Sequence, residues 1–177
     1  MEQIEINKTI KLSEHYTLGE MTKTSTGMMN IPSRVSIENM KRVCGWLEAL
    51  RARYNLRYVS PSSDHPAHPG TPPNLGGEKD TEEPIIISSG YRSPEVNRRV
   101  GGSATSNHLT GCAVDIRVYG IEQALRYVVI LMDYADETRQ DYDELLIERN
   151  RSGRYWVHFA VRPPKSQNRR KTAMLSV

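Results

Sequence analysis

At 177 residues the chain is long enough for one well-buried core and too short for two comfortable domains. A hydrophobic fraction of 37%, a charged fraction of 25% and a mean hydropathy of -0.60 fit a soluble globular protein, and no stretch approaches the ~20 apolar residues of a membrane span. The formal charge of +3 is modest and is accounted for by the C-terminal cluster Lys165, Arg169, Arg170 and Lys171. A solvated basic tail from about residue 165 is the expectation for such a run, and no nucleic-acid partner is expected.

In chain order, residues 2–12 alternate, with Ile4, Ile6, Ile10 and Leu12 on one parity, which predicts a short extended segment. Thr17 and Glu20 have the spacing of a capping box, so a helical turn follows through Met21. Ser36 can cap a helix over 37–54, where Ile37, Met40, Val43, Cys44, Leu47 and Leu50 recur at three- and four-residue spacing and form a core face. Residues 60–84 hold six prolines and three glycines, which predicts a long exposed loop inserted near a cleft. His65 and His68 lie in that loop, and without an ordered scaffold they make a poor metal site. Cys44 and Cys112 sit among apolar or small neighbours and read as buried free thiols, not as a disulfide framework.

Ile85–Ile87 is a β-branched apolar run and predicts a buried strand that delivers the chain into Ser89-Gly90-Tyr91-Arg92. Ser93-Pro94 starts a helical turn that Gly101-Gly102 ends, and residues 106–111 form a tight polar loop. Residues 113–118 alternate as a strand with Val114, Ile116 and Val118 inward, so Asp115 faces the other way. A helix over about 121–134 follows, with Ala124, Leu125, Val128, Val129, Leu131 and Met132 as its apolar stripe. Two strands, 142–149 and 155–162, close a hairpin through Asn150–Gly153.

His108 and Asp115 flank a turn into a strand, and His158 comes from a second strand. Two imidazoles and a carboxylate can hold one metal ion with a position left open, or can be hydrogen-bonded structural residues. Small residues crowd His108 and Asp115 (Gly101, Gly102, Ser103, Ala104, Ser106, Gly111, Ala113), which permits close approach. Arg92, just after a buried strand, can grip a substrate carboxylate or make a structural ion pair.

Taken together, SGYRS, Asn97, VGG, SNHLTGCAVDI and WVHF resemble the M15 family of zinc D-Ala-D-Ala carboxypeptidases and related peptidoglycan endopeptidases, phage endolysins included. The similarity is closest to the compact branch that ends in a Trp-Val-His strand. It runs from YTLGEMTKT to Phe159 and leaves out the proline-rich loop and the tail. The resemblance implies an α+β fold of the hedgehog/D,D-peptidase type, a small antiparallel sheet flanked by helices, as a single domain over 1–177. It implies one zinc ion on His108, Asp115 and His158, with Arg92 anchoring a substrate carboxylate and Ser106 and Trp156 near the substrate. Peptidoglycan stem peptides are the implied substrates.

The general base departs from the pattern of many relatives, which carry a glutamate three residues before the last histidine; here that position is Tyr155, which cannot serve at neutral pH. In the compact branch a glutamate ends the preceding strand instead, and strand alternation brings Glu148 close to Trp156 and His158, with Glu144 and Asp143 as alternatives. The missing carboxylate also keeps open a zinc-stabilised binding module without turnover. The N-terminus lacks a basic region followed by an apolar run, so the expectation is a monomer made in the cytoplasm and acting at the cell wall, as a phage or prophage lysis enzyme does.

Overall fold

The computed structural model describes residues 7–59 and 82–177. In chain order the named elements are α1 (Leu18–Met21), α2 (Arg34–Tyr54), β1 (Ile87–Ser89), α3 (Pro94–Arg99), β2 (Ala113–Arg117), α4 (Ile121–Thr138), β3 (Glu144–Arg149), β4 (Tyr155–Ala160) and β5 (Lys171–Ser176). His65, His68 and most of the proline-rich loop lie outside the described residues, as do residues 2–6 of the expected extended segment. Within residues 7–12 the chain makes a turn and one isolated bridge, Lys11 to Thr17.

The strands form one sheet in the order β1-β2-β4-β3-β5. The first three pairings are antiparallel, but β3 and β5 run parallel, so the sheet is mixed and not antiparallel throughout. The cause lies in where β4 ends. Ala160 sits opposite Glu144, and the connection through Pro163-Pro164 returns the chain to the same end of the sheet, where Lys171 also pairs with Glu144. The basic segment expected to be a solvated tail is thus partly an edge strand.

Alternation along β2, β3 and β4 sends Val114, Ile116, Leu145, Ile147, Val157 and Phe159 into the core, where α2 and α4 cover them. Met40, Val43, Cys44, Leu47 and Leu50 of α2 are buried there, and Trp46 packs edge-on against Tyr134 with ring centroids 4.9 Å apart. Fully burying one such Leu or Ile side chain stabilises the fold by about 1.5–3 kcal/mol. Both cysteines are free and buried, and burial pushes the Cys44 thiol up to about 12.

Three sequence expectations shift. The cap of α2 is Ser33, whose Oγ accepts from the Ser36 backbone N–H at 3.1 Å, so the helix begins before residue 37. β1 starts at Ile87 and alternates, with Ile86 37% exposed, because one face of this edge strand is uncovered. On α4, Leu125 and Val129 are about half exposed (50% and 48%), since one helix face against the sheet holds a narrower stripe than the sequence offers. Among the described residues no helix is long and apolar enough to cross a membrane.

Candidate metal centre

The core-facing set on β2 and β4 leaves Asp115 and His158 on the opposite face, and the strand register places them directly across from each other. His108 arrives from the short 3-10 helix Asn107–Thr110, which Ser106 caps by accepting from the His108 N–H at 3.3 Å. Gly111 ends that helix at φ 74°, where a Cβ would also lie 2.5 Å from the Ser36 carbonyl oxygen, so a side chain there would displace the turn between the two candidate ligands. The result is that one donor atom each from His108, Asp115 and His158 lies within 4.8 Å of the others, all three residues buried.

One Asp115 oxygen, Oδ1, is 3.2 Å from His108 Nε2 and 2.9 Å from His158 Nδ1. The other, Oδ2, accepts from Arg92 Nη2 at 2.5 Å. His108 Nδ1 is 2.7 Å from the Gly90 carbonyl oxygen, and since a carbonyl only accepts, Nδ1 carries the proton and Nε2 presents its lone pair to the site. Gly90 can bring its carbonyl there because it packs against the backbone of Met21, where a Cβ would lie 2.3 Å from the Met21 oxygen.

Burial pushes the Asp115 carboxyl up, but the charge and hydrogen bonds of His108 and His158 outweigh it and hold the group far below the usual carboxylate range. Burial also disfavours charge on His158, yet Asp115, Glu144 and Glu148 raise its pKa to about 9. The field at these three side chains therefore favours positive charge. Two imidazoles and a carboxylate on rigid strands form a donor set that fits zinc, with one position left for water or substrate.

The remaining sequence candidates separate in space. Arg92 sits at the site, but its Nε donates to Ser89 Oγ at 2.9 Å and its Nη2 holds Asp115, which is the structural ion pair. Glu148 lies across from Trp156, whose Nε1 donates to its Oε2 at 2.6 Å. Glu144, on the same face of β3, has Oε2 at 3.7 Å from His158 Nε2, the ring nitrogen remote from Asp115. Its pKa is lowered to about 2, first by His158, against the effect of burial, and then by Arg169 and Lys171. Asp143, just before β3, is fully buried and engaged by Asn107, Arg162 and Arg169, which removes it from contention as a base.

Sequence reasoning missed Gly90, Ser89, Asn107 and Arg169 as support. The Asn107 amide donates to both Asp143 Oδ2 (2.8 Å) and Glu144 Oε2 (3.1 Å), tying the His108 turn to β3. Adjacency to His108 was its only signal in the sequence. Arg169 had none, being part of a charge run.

Residues 77–142 match the Peptidase M15 family model. The matched segment contains Arg92, His108 and Asp115 and stops before Glu144, Glu148 and His158, which the strand register alone connects to it. It supports a place in the M15 peptidases, a family of zinc peptidases, and hence a hydrolase that acts on peptides. No curated protein matches the chain.

Proposed function

We propose that the protein hydrolyses amide bonds in peptidoglycan stem peptides with one zinc ion held by His108, Asp115 and His158. The observation that carries this reading is the convergence of those three buried donors beside a groove, with a carboxylate, Glu148, on the neighbouring strand. Zinc bound there would supply Lewis acidity toward the scissile carbonyl and toward water. Glu148 takes the proton of the attacking water and returns it to the leaving amine, and the Trp156 N–H aims its carboxylate. Arg92 fixes Asp115 through Nη2, which leaves Nη1 to meet a substrate carboxylate. Ser106 holds the His108 turn, and Trp156 walls the substrate side. Such an enzyme works at the cell wall, as a lysis enzyme or a wall-trimming carboxypeptidase does.

The test is mass spectrometry of purified muropeptides digested with the zinc-loaded protein, with and without a chelator, beside Glu148→Ala. We expect peptide release that a chelator abolishes and that falls about 10²- to 10⁴-fold in E148A. Release that survives in E148A would remove Glu148 from the role of base. The second reading, a zinc-stabilised module that binds without turnover, draws on Tyr155 standing where many relatives of the resembled family carry a glutamate. It would replace the first if zinc binds stoichiometrically and no muropeptide is cut.

A further inference from the structure

A groove of about 660 Å³ opens at Asp115 and runs along β2 toward the strand ends, lined by Lys23, Arg117, Tyr119, Arg154 and Trp156 among others. Its charge is lopsided. Three cationic side chains face one carboxylate, Asp115, which is already engaged by Arg92 and both histidines. Lys23, Arg117 and Arg154 are exposed, and among the described residues none has a carboxylate within ion-pair distance. Other cations of the described surface also lack ion-pair partners, but here three of them border one groove beside the candidate ligands, whereas the arginines of α4 and the C-terminal segment are paired.

The spacing relates these cations to the metal set. Arg117 is two residues beyond Asp115 on the same face of β2, about 6.6 Å along the strand, and pairs across the sheet with Trp156 as Asp115 pairs with His158. A carboxylate held by Arg117 therefore lies about two residue steps from the candidate ligands. The Arg117 guanidinium carbon lies over the Tyr119 ring, 5.7 Å from its centroid, so the two side chains flank the groove together. Planar guanidinium forks match carboxylates through two parallel hydrogen bonds, and Trp156 and Tyr119 offer apolar surface for the intervening peptide.

We infer that this groove selects acidic peptides, through Arg117 and Arg154 with Lys23 in support, by gripping a free substrate carboxylate near the scissile amide. The inference rests on the peptidase reading and extends it to the charge of the substrate. Arg92 has Nε on Ser89 and Nη2 on Asp115, which leaves only Nη1 for a substrate carboxylate, and the groove supplies further cations for a second one.

The test uses two stem peptides of one sequence, one with free side-branch carboxylates and one with these converted to carboxamides, the chain terminus being kept. Zinc-loaded wild-type protein and the double variant R117Q/R154Q are assayed for kcat and KM, and affinity is read in parallel by tryptophan fluorescence. Both substitutions are at exposed positions, and thermal unfolding checks that the variant folds. The wild type is expected to prefer the carboxylate peptide by about tenfold or more, mainly through KM, with the preference shrinking as salt rises and falling to within about twofold in the variant. Equal affinity of the wild type for the two peptides would overturn the inference, as would a preference that persists in the variant. Inorganic polyphosphate binding more tightly than the carboxylate peptide would overturn it too, by showing a phosphate site. Carboxylate-selective binding without cleavage of either peptide would sustain the groove's role and sink the peptidase reading.

Discussion

Glu144 and Glu148 point from the same face of β3, with Leu146, opposite His158, between them, and their surroundings assign them different work. Glu148 accepts one hydrogen bond, from Trp156, and no cation pairs with it among the described residues. Glu144 sits behind the His158 ring and is held by Asn107, Arg169 and Lys171. A carboxylate on the far nitrogen of a ligating histidine fixes its tautomer and raises its basicity, and loss of such a partner typically weakens metal binding by about 10–100-fold. Glu144→Gln should therefore loosen zinc by about that factor, measured by competition with a chromophoric chelator and by the absorption spectrum of the cobalt-substituted protein. E148A should keep its zinc to within a few-fold. If E148A lost zinc as readily as E144Q, the division of labour between the two glutamates would be wrong.

At the scale of the element, the C-terminal segment departs furthest from what the sequence suggests. Arg169 donates to Asp143 through Nε at 2.9 Å and Nη2 at 2.7 Å, Arg170 pairs with Asp136 and Asp141, and Lys171 opens β5 beside Glu144. Ending the chain after Pro164 would expose the β3 edge and strip the fully buried Asp143 of Arg169. Arg162 and Asn107 would stay on Asp143, but its bonds from Arg169 would go, and hydrogen bonds to a charged group contribute about 1.5–3 kcal/mol, so the truncated protein should unfold at a clearly lower temperature by circular dichroism. Unfolding within about 2 °C of the full chain would mean that β5 does not hold the sheet. The reason the segment was illegible is physical. Lys171–Ser176 alternates weakly, with only Ala173 and Leu175 half-buried, and a charge run reads as solvated until its acidic partners are known. By contrast, β2 and β4 were legible because strict alternation fixes which residues face the core, and that same alternation is what brings Asp115 and His158 together. Which glutamate stands behind His158 depends on cross-strand register and on Asn107, neither of which a local pattern encodes.

Over the whole molecule, the modest excess of positive charge is unevenly spent. Arginines of the C-terminal segment are neutralised by Asp136, Asp141, Asp143 and Glu144, whereas the groove beside Asp115 is one of the surfaces where cations stand without acidic partners among the described residues. Asp143 is the buried end of that neutralisation, and it links global stability to acid. Burial pushes its carboxyl up, but hydrogen bonds from Arg169 and Asn107 prevail and hold it at about 2, below its ordinary 3.8. A carboxylate whose pKa is depressed in the folded chain contributes stability that is fully present above its unfolded pKa and is lost as pH falls through the folded value. The difference amounts to about 2 kcal/mol. Urea unfolding of the wild type and of Asp143→Asn, compared at each pH so that losses common to both cancel, should give a gap of about that size at pH 7. The gap should persist to about pH 4.5 and fall below half by about pH 2.5. A gap independent of pH would mean that Asp143 stabilises through shape and neutral hydrogen bonds alone, and a gap that widened toward acid would reverse the sign of its coupling to Arg169.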